Sequence, residues 1–403
     1  MKSSYLFPVL LCGLCMAGLH TVVQNTTNSP MSMYGMGELC SADGGRYAGL
    51  GNVGLAVNRV GFQNTLNPAA ITRMDSTCFV FDVGASASFS RYSFLSEQSN
   101  YVTGNPNRLS MGFRVLPRWY AMVGVAPYSS VGYVIQTQEE IEGMPGSYTY
   151  SLFEGNGGLY RCYLTNALEL MPGLSVGLNL GVVMGTTTQS ESQDNAVVEY
   201  ESEQRAFYMD LGLYYEFARQ GAWQWAAGLL FSPSTLISHD NTLTYSNSST
   251  SEGLDKTYSS RNMYLPMHLG AGVSMTSERW VLALDYNYLD WSRNSSSYTS
   301  LSYENQHKLN LGAAYITQPR LPRSTELMCG LGFGNSYIDL KGGKMRYLEF
   351  SAGASFPIRY SFLSLGLTFR KQLNTRSELM QESRLSLNLN LTFGERLSRS
   401  KLK

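Results

Sequence analysis

The segment LSLNLNLTF, from Leu385 to Phe393, alternates strictly between apolar and polar side chains. Successive side chains of a β-strand point to opposite faces, so the segment predicts a strand with one apolar face. Four other segments repeat the pattern: GLSVGLNLGVVM, AFYMDLGLYYEF, RWVLALDYNY and YLEFSAGASF. Each is about 9–12 residues long, the length that a tilted strand needs to cross a bilayer. With aromatic residues near the segment ends, the pattern favours a transmembrane β-barrel over a soluble β-sandwich.

The composition agrees with strands of this kind. The chain has 403 residues, a formal net charge of zero and a mean hydropathy of −0.15. Charged residues make up 15% of the chain, against roughly 25% in an ordinary soluble domain. There are 39 glycines and 27 tyrosines. A zero net charge gives no support for nucleic-acid binding.

The N-terminus predicts export from the cytoplasm. Lys2 precedes the apolar run YLFPVLLCGLCMAGL, which is too short for a helical span of ~20 residues and is typical of a signal peptide. We expect residues 1–25 to form this peptide, with cleavage between residues 17 and 25. Export and a barrel together predict the outer membrane of a Gram-negative bacterium.

The remaining chain divides into three further predicted regions: a hatch at 26–76, a barrel at 77–395 and a basic tail at 396–403. The barrel is predicted to be antiparallel, with about fourteen strands. Short turns such as MPG alternate with long polar loops, which is typical of such barrels. The expected strands are 77–92, 106–116, 118–135, 147–165, 173–187, 204–218, 222–236, 260–276, 279–294, 300–316, 324–338, 345–356, 359–371 and 383–394.

Residues 26–76 do not alternate like the strands. They are dense in glycine, which allows close backbone packing and positive φ, so we expect a small hatch inside the lumen. Asn67, Pro68 and Ala69 resemble a helix start, with Asn67 as the N-cap and Pro68 at the first helical position. The glycines expected to serve the hatch are Gly44, Gly45, Gly49, Gly51 and Gly54.

These residues carry a family resemblance. GRYAGLGNVGLAVNRVGFQNTLNPAAI, from Gly45 to Ile71, resembles the N-terminal hatch of the FadL/TodX family of outer-membrane transporters. LPMHLGAGVSM and LDYNYLDWSR are similar to later strands of that family. The resemblance implies a fourteen-stranded barrel plugged by the hatch, and passage of long-chain fatty acids or other hydrophobic molecules. It does not indicate which residues line a ligand pocket.

The hatch also carries three arginines, Arg46, Arg59 and Arg73. We expect them to form ion pairs with carboxylates of the lumen, and Asp285 is the leading candidate. The alternative carboxylates are Asp82, Asp210 and Glu349.

Three functions remain open from the sequence. The leading one is passive uptake of hydrophobic small molecules across the outer membrane, with a hydrophobic ligand and membrane lipids as partners. The second is a PorV-like barrel that partners a secretion-system or surface protein. The third is an enzyme at the rim, for which His239 and Asp240 form the one candidate fragment. We expect no enzyme and no cofactor, and the sequence has no HExxH or paired CxxC pattern for a metal.

Overall fold

A computed structural model describes most of the chain. The described residues are 27–41, 45–59, 62–74, 78–94, 97–140, 143–144, 146–219, 221–247, 252–296, 301–320, 324–340, 343–358, 361–374 and 380–396. The predicted signal peptide, Gly44 and most of the predicted basic tail lie outside these ranges.

The described part of the chain is all-β apart from three short helical turns. Its strands are β1 (Glu38–Leu39), β2 (Cys78–Phe94), β3 (Glu97–Leu116), β4 (Trp119–Glu140), β5 (Tyr148–Met171), β6 (Leu174–Gln193), β7 (Ala196–Glu216), β8 (Gln224–Ser232), β9 (Thr235–Asn247), β10 (Glu252–Leu265), β11 (Met267–Thr276), β12 (Trp280–Asp290), β13 (Leu301–Tyr303), β14 (Gln306–Ile316), β15 (Glu326–Leu340), β16 (Gly343–Ile358), β17 (Ser361–Asn374) and β18 (Gln381–Arg396).

These elements form a closed antiparallel barrel of fourteen strands among the described residues. β8 and β9 are two halves of one barrel strand, interrupted at Pro233, and β10 and β11 are two halves of another, interrupted at Pro266. Proline lacks the N–H that a sheet ladder requires, which explains both interruptions. β18 pairs with β2 along its whole length and closes the sheet. The predicted fold and strand number are therefore confirmed.

The period-two pattern sets the two faces of the wall. On β7 the apolar side chains Phe207, Leu211, Leu213 and Tyr215 are exposed outward, while alternate residues between them are buried. An outward apolar band about nine residues tall matches the hydrocarbon core that a tilted strand crosses. We call the band from Phe207 to Tyr215 the membrane belt.

Above the belt the wall is tall on one side and short on the other. β4, β5, β6 and β7 have 22, 24, 20 and 21 residues, whereas β12 and β14 have 11 each. On β7 the outward residues above the belt include Glu199, Glu201 and Glu203, which mark an aqueous zone. Residues 196–205 add about 30 Å of strand at ~3.4 Å per residue. We call the upper parts of β4–β7, β9 and β10 the extracellular wall.

The described parts of the N-terminal segment, residues 27–41, 45–59 and 62–74, lie inside the barrel against inward-facing strand residues. The segment contains a 3₁₀ turn at Pro30–Met33, strand β1, one helical turn at Arg46–Gly49 and a 3₁₀ helix at Pro68–Arg73. Among the described residues, none of the helical elements has the length and apolar character of a membrane span.

Candidate functional site: a lumen occupied by the N-terminal segment

Paired glycines form the seat for the N-terminal segment. In four places, two inward-facing glycines lie directly opposite each other on neighbouring strands. The pairs are Gly177–Gly212, Gly228–Gly272, Gly312–Gly330 and Gly353–Gly366. A β-carbon at any of these positions would press into a neighbouring atom, mostly of the N-terminal segment. The wall therefore has glycine, which lacks a side chain, at the positions where the backbone of that segment approaches it.

The approach is backbone to backbone at three neighbouring strands, β15, β16 and β17. Gly49 packs on the Cα atoms of Gly353 and Gly366, and Gly51 packs on Gly330. Gly51 has φ +78°, a conformation that favours glycine. Such contacts leave no room for water between the segment and the wall.

The other predicted glycines have local roles. Gly45 is the N-cap of the turn that begins at Arg46. Gly54 packs under the rings and methyl groups of Tyr47 and Leu66, and its N–H donates to Asp285. Gly44 lies outside the described residues.

The Asn-Pro-Ala element has the predicted local geometry. The side chain of Asn67 accepts a hydrogen bond from the N–H of Ala69 at 3.0 Å, so Asn67 caps the 3₁₀ helix that Pro68 begins. The Asn67 amide also donates to the carbonyls of Leu55 and Leu213, at 2.7 and 3.1 Å. The second of these bonds ties the element to strand β7.

Two hatch arginines converge on one buried carboxylate. Arg46 contacts Glu326 at 2.5 Å, and the side chains of both are 2% exposed. Arg59 donates from Nε to the other oxygen of Glu326 at 2.5 Å. Arg73 pairs with Glu216 at 2.6 Å near the surface. The sequence-based choice of partners did not include either glutamate.

The expected carboxylates have other partners. Asp285 accepts the N–H groups of Gly54 and Leu55 at 2.7 and 2.9 Å, so it binds the backbone of the hatch rather than an arginine. The remaining three contact groups of the wall: Asp82 pairs with Arg108, Asp210 accepts from Tyr208 and Ser232, and Glu349 contacts Arg370.

Strand β1 lies where the wall parts. β3 and β4 pair only from Leu109–Val125 downward, and β1 pairs with β4 above that point through Glu38–Ser130. Burial alone would raise the pKa of Glu38, but Arg384, Arg370 and the Thr27 hydroxyl together outweigh burial and hold that pKa below its ordinary value of 4.5. The charged Glu38 thus anchors β1 to β18.

An apolar cluster lies in the lumen on the side of the extracellular wall. Trp291 is fully buried and stacks on Tyr337 with ring centroids 4.2 Å apart. The Tyr337 hydroxyl donates to the carbonyl of Gly37 in the N-terminal segment. Inward residues of the wall complete the cluster together with Met36: Leu159, Val183, Ala206, Ile237, Leu265 and Met345.

A cavity of about 330 Å³ lies in the lumen between Leu55 and Asp285 on one side and the cluster around Tyr337 on the other. It is at the lower end of the range for small-molecule sites, which are usually lined mainly by apolar side chains. Leu265, Tyr337 and Ile338 form part of its lining. The charged residues of the lining are Glu38, Arg161, Asp210, Asp285, Lys308, Arg346, Glu349, Arg370 and Glu382. The cavity therefore combines an apolar patch with a charged wall of both signs.

The rim does not hold the catalytic fragment considered from the sequence. His239 and Asp240 are adjacent on β9 and point to opposite faces, because side chains alternate along a strand. His239 faces inward near the Ser202 hydroxyl at 3.4 Å, whereas Asp240 accepts from Ser259 at 2.7 Å on the exposed face. Among the described residues, no group of His, Cys, Asp and Glu could hold a metal ion.

Comparison with solved structures defines the class of protein. The chain is similar to the CymD monoaromatic hydrocarbon channel, with 15% identity, 90% of this chain and 99% of that chain covered, and a TM-score of 0.59. It is similar to the Ralstonia pickettii toluene transporter TbuX, with 14% identity and a TM-score of 0.61, and the match covers 88% of this chain and 98% of that chain. It is also similar to a Pseudomonas aeruginosa FadL homologue, with 10% identity and a TM-score of 0.59, and the match covers 88% of this chain and 99% of that chain.

The fold is therefore that of the FadL/TodX barrels, as the resemblance implied. These similar structures are transport barrels, not enzymes, and the fold is typical of the Gram-negative outer membrane. At this identity the comparison establishes the fold alone. A family model described as BamG matches residues 7–401, so the chain belongs to the BamG family. No curated protein matches the chain.

Proposed function

We propose that this chain is a closed outer-membrane barrel that serves as a partner for another outer-membrane or surface protein, with the extracellular wall as its docking surface. The observation that carries the proposal is that the N-terminal segment occupies the lumen through two buried groups of contacts, one at Glu326 and the paired glycines and one at Trp291. Opening the lumen would require breaking a buried ion pair and an apolar core together.

The extracellular wall supports the same proposal. A barrel that only spans the membrane needs strands of about 9–11 residues, yet β4–β7 have at least 20 residues each. The additional length exposes apolar side chains well above the membrane belt, among them Val134, Tyr150 and Val197. Exposed apolar side chains in water are typical of protein interaction sites when they cluster.

Affinity purification from native membranes tests this function. We expect the tagged chain to retain another outer-membrane protein in a fixed ratio. A shortened variant replaces residues 190–199 by Asn-Gly, which preserves the hydrogen-bonded Gln189–Tyr200 pair as the last of the β6–β7 hairpin. That variant should lose the partner while the barrel still folds. Equal recovery of every outer-membrane protein with both chains would refute the proposal.

A matched control shortens the wall elsewhere. Replacing residues 93–98 by Asn-Gly shortens the β2–β3 hairpin beyond the hydrogen-bonded Tyr92–Ser99 pair, outside the extracellular wall. Partner recovery should be unchanged in this control. Loss of the partner in both variants would indicate a general defect of the barrel rather than loss of a docking surface.

Passive uptake of hydrophobic molecules such as long-chain fatty acids is the second candidate function. It is favoured by the cavity and by the parting of β3 and β4 above Leu109. Apolar burial at ~25 cal/mol per Å² would hold a ligand on the apolar side of the cavity. Fatty-acid uptake into liposomes, with and without the barrel, tests it, and equal uptake would exclude transport.

A further inference from the structure

The upper part of β4 is an edge strand of the extracellular wall. Above the Leu109–Val125 pair, β3 pairs only with β2, and β4 keeps β5 as its one barrel neighbour as far as Glu140–Tyr148, with the two residues of β1 on part of its other side. One side of β4 therefore loses its neighbour for more than ten residues. An unpaired edge presents a row of N–H and C=O groups on which another strand can form.

The N-terminal segment already uses the lower part of this edge. Glu38 pairs with Ser130, and the N–H of Cys40 donates to the carbonyl of Tyr128 at 2.9 Å. Higher up, the Ser32 hydroxyl accepts from the N–H of Gly132 at 3.0 Å and donates to its carbonyl at 3.1 Å. Strand addition at this edge is thus built into the fold.

These bonds fix the direction of every backbone group above them. In an antiparallel ladder the N–H and C=O of one residue point to the same side, and the side alternates along the strand. Gly132 points both groups away from β5, and the β4–β5 register is regular from Ser129 to Glu140. Val134, Gln136 and Gln138 therefore direct their N–H and C=O groups to the open side.

The described part of the chain provides no backbone partner for that side between Val134 and Glu140. Natural edges are usually protected by lysine, proline or bulges, but the sequence VGYVIQTQEE, residues 131–140, has no lysine or proline. The side chains of Val134, Gln136 and Gln138 are exposed. The edge is open, of high β propensity and above the membrane belt.

We propose that an extended, basic segment of a partner protein adds as a strand to β4 between Val134 and Glu140. This inference rests on the proposed partner function and specifies its contact. The ladder supplies affinity that does not depend on the partner's sequence, and side chains supply specificity. The basic character follows from charge: Glu139 and Glu140 end the edge, and Glu154 lies opposite Val134 on the exposed face.

Amide hydrogen exchange of residues 133–140 tests the proposal. We compare the protein in native outer-membrane vesicles with the same chain refolded alone in detergent, which has never met the partner. The expected result is exchange at least about tenfold slower in vesicles, the factor that corresponds to about 1.4 kcal/mol. Equally fast exchange in both would overturn the proposal. Equally slow exchange in both would also overturn it, because a segment of this same chain would then be the occupant.

Proline substitution separates the edge from the ladder. Gln136→Pro removes an N–H that faces the open side and leaves the β4–β5 bonds in place. It should restore fast exchange in vesicles and reduce partner recovery about tenfold or more. Ile135→Pro removes an N–H that faces β5 instead. Its partner recovery measures how much a break in the β4–β5 ladder alone reduces binding. Full partner recovery with Gln136→Pro would refute strand addition while leaving the partner function intact.

Discussion

Gly228 on β8 and Gly272 on β11 lie directly opposite each other, and Leu55 fills the space above them, with its carbonyl over Gly228 and its β-carbon over Gly272. Neither strand needs glycine for its own conformation, since a β-branched residue would pack better in a sheet. The pair is explained by the hatch: it clears the wall for the Leu55 carbonyl. Three similar pairs around the barrel show that wall and hatch are matched at backbone level.

We predict that Gly228→Val displaces the N-terminal segment without preventing barrel formation. Valine favours strands, but its side chain would overlap the Leu55 carbonyl. Limited proteolysis should therefore cut residues 45–74 faster than in the parent protein. The single-channel conductance in a planar bilayer should rise above a low parent value.

Gly104→Val is the matched control for that substitution. Gly104 is also a wall glycine, but a β-carbon there meets nothing closer than the Ser86 carbonyl at 3.9 Å. Proteolysis and conductance should be unchanged. If both valine variants behave alike, the close packing at Gly228 does not hold the segment in place.

We predict that Glu326→Gln strongly destabilises the hatch. The change leaves Arg46, 2% exposed, beside a neutral amide and weakens the contact of Arg59. Breaking a buried pair from one side typically costs about 3–5 kcal/mol. Denaturant unfolding followed by the loss of protease resistance in residues 45–74 measures this cost.

An exposed glutamate provides the comparison. Glu203 pairs with Arg205 at 3.0 Å, but the two side chains are 53% and 68% exposed. Such surface pairs contribute about 0–1 kcal/mol. Glu203→Gln should therefore leave the unfolding midpoint almost unchanged, and a similar loss in both variants would contradict a special role for Glu326.

The period-two pattern predicted the barrel because burial of one strand face is a local property. Alternation around Leu385 and Phe393 can be seen without knowing any neighbour. The Asn67 cap is equally local, since its bond to Ala69 spans two residues. Wherever a feature depends on a few consecutive residues, the sequence was sufficient.

The seat of the hatch could not be predicted in the same way. Gly177 and Gly212 are visible as glycines on polar faces, but their pairing depends on the register between β6 and β7. Glu326 stands at the start of β15, where a carboxylate looks like an exposed end charge. Glu326 lies two residues before Met328 and four before Gly330, so all three side chains share the inward face of the strand. This spacing was the sequence feature that could have indicated that Glu326 faces the lumen.

We predict that Glu38 makes the position of β1 sensitive to acid. Its pKa is lowered in the folded protein, mainly by Arg384 against the opposing effect of burial. A lowered pKa stabilises the folded state above about pH 4.5, and this contribution is lost as pH falls through the folded value. The midpoint temperature of thermal unfolding of the parent protein should therefore fall on acidification below about pH 4.5.

Glu38→Gln isolates this contribution. The variant lacks the titrating group, so its midpoint should be lower at pH 7 and should change less below about pH 4.5. The difference between the two proteins reports Glu38 alone. A constant difference at all pH values would show that the ion pair with Arg384 does not stabilise the fold.

We predict that Pro68→Gly leaves the barrel folded and changes its conductance. Pro68 fixes φ at the start of the 3₁₀ helix, and its ring packs on Gly212 of the wall. Glycine removes the ring and increases the freedom of the unfolded segment, an effect worth about 0.4–1 kcal/mol. The cap from Asn67 remains, so the segment loosens rather than leaves. Conductance should fluctuate more than in the parent barrel, whereas an unchanged trace from the intact mature chain would mean that this element only connects the hatch to β2.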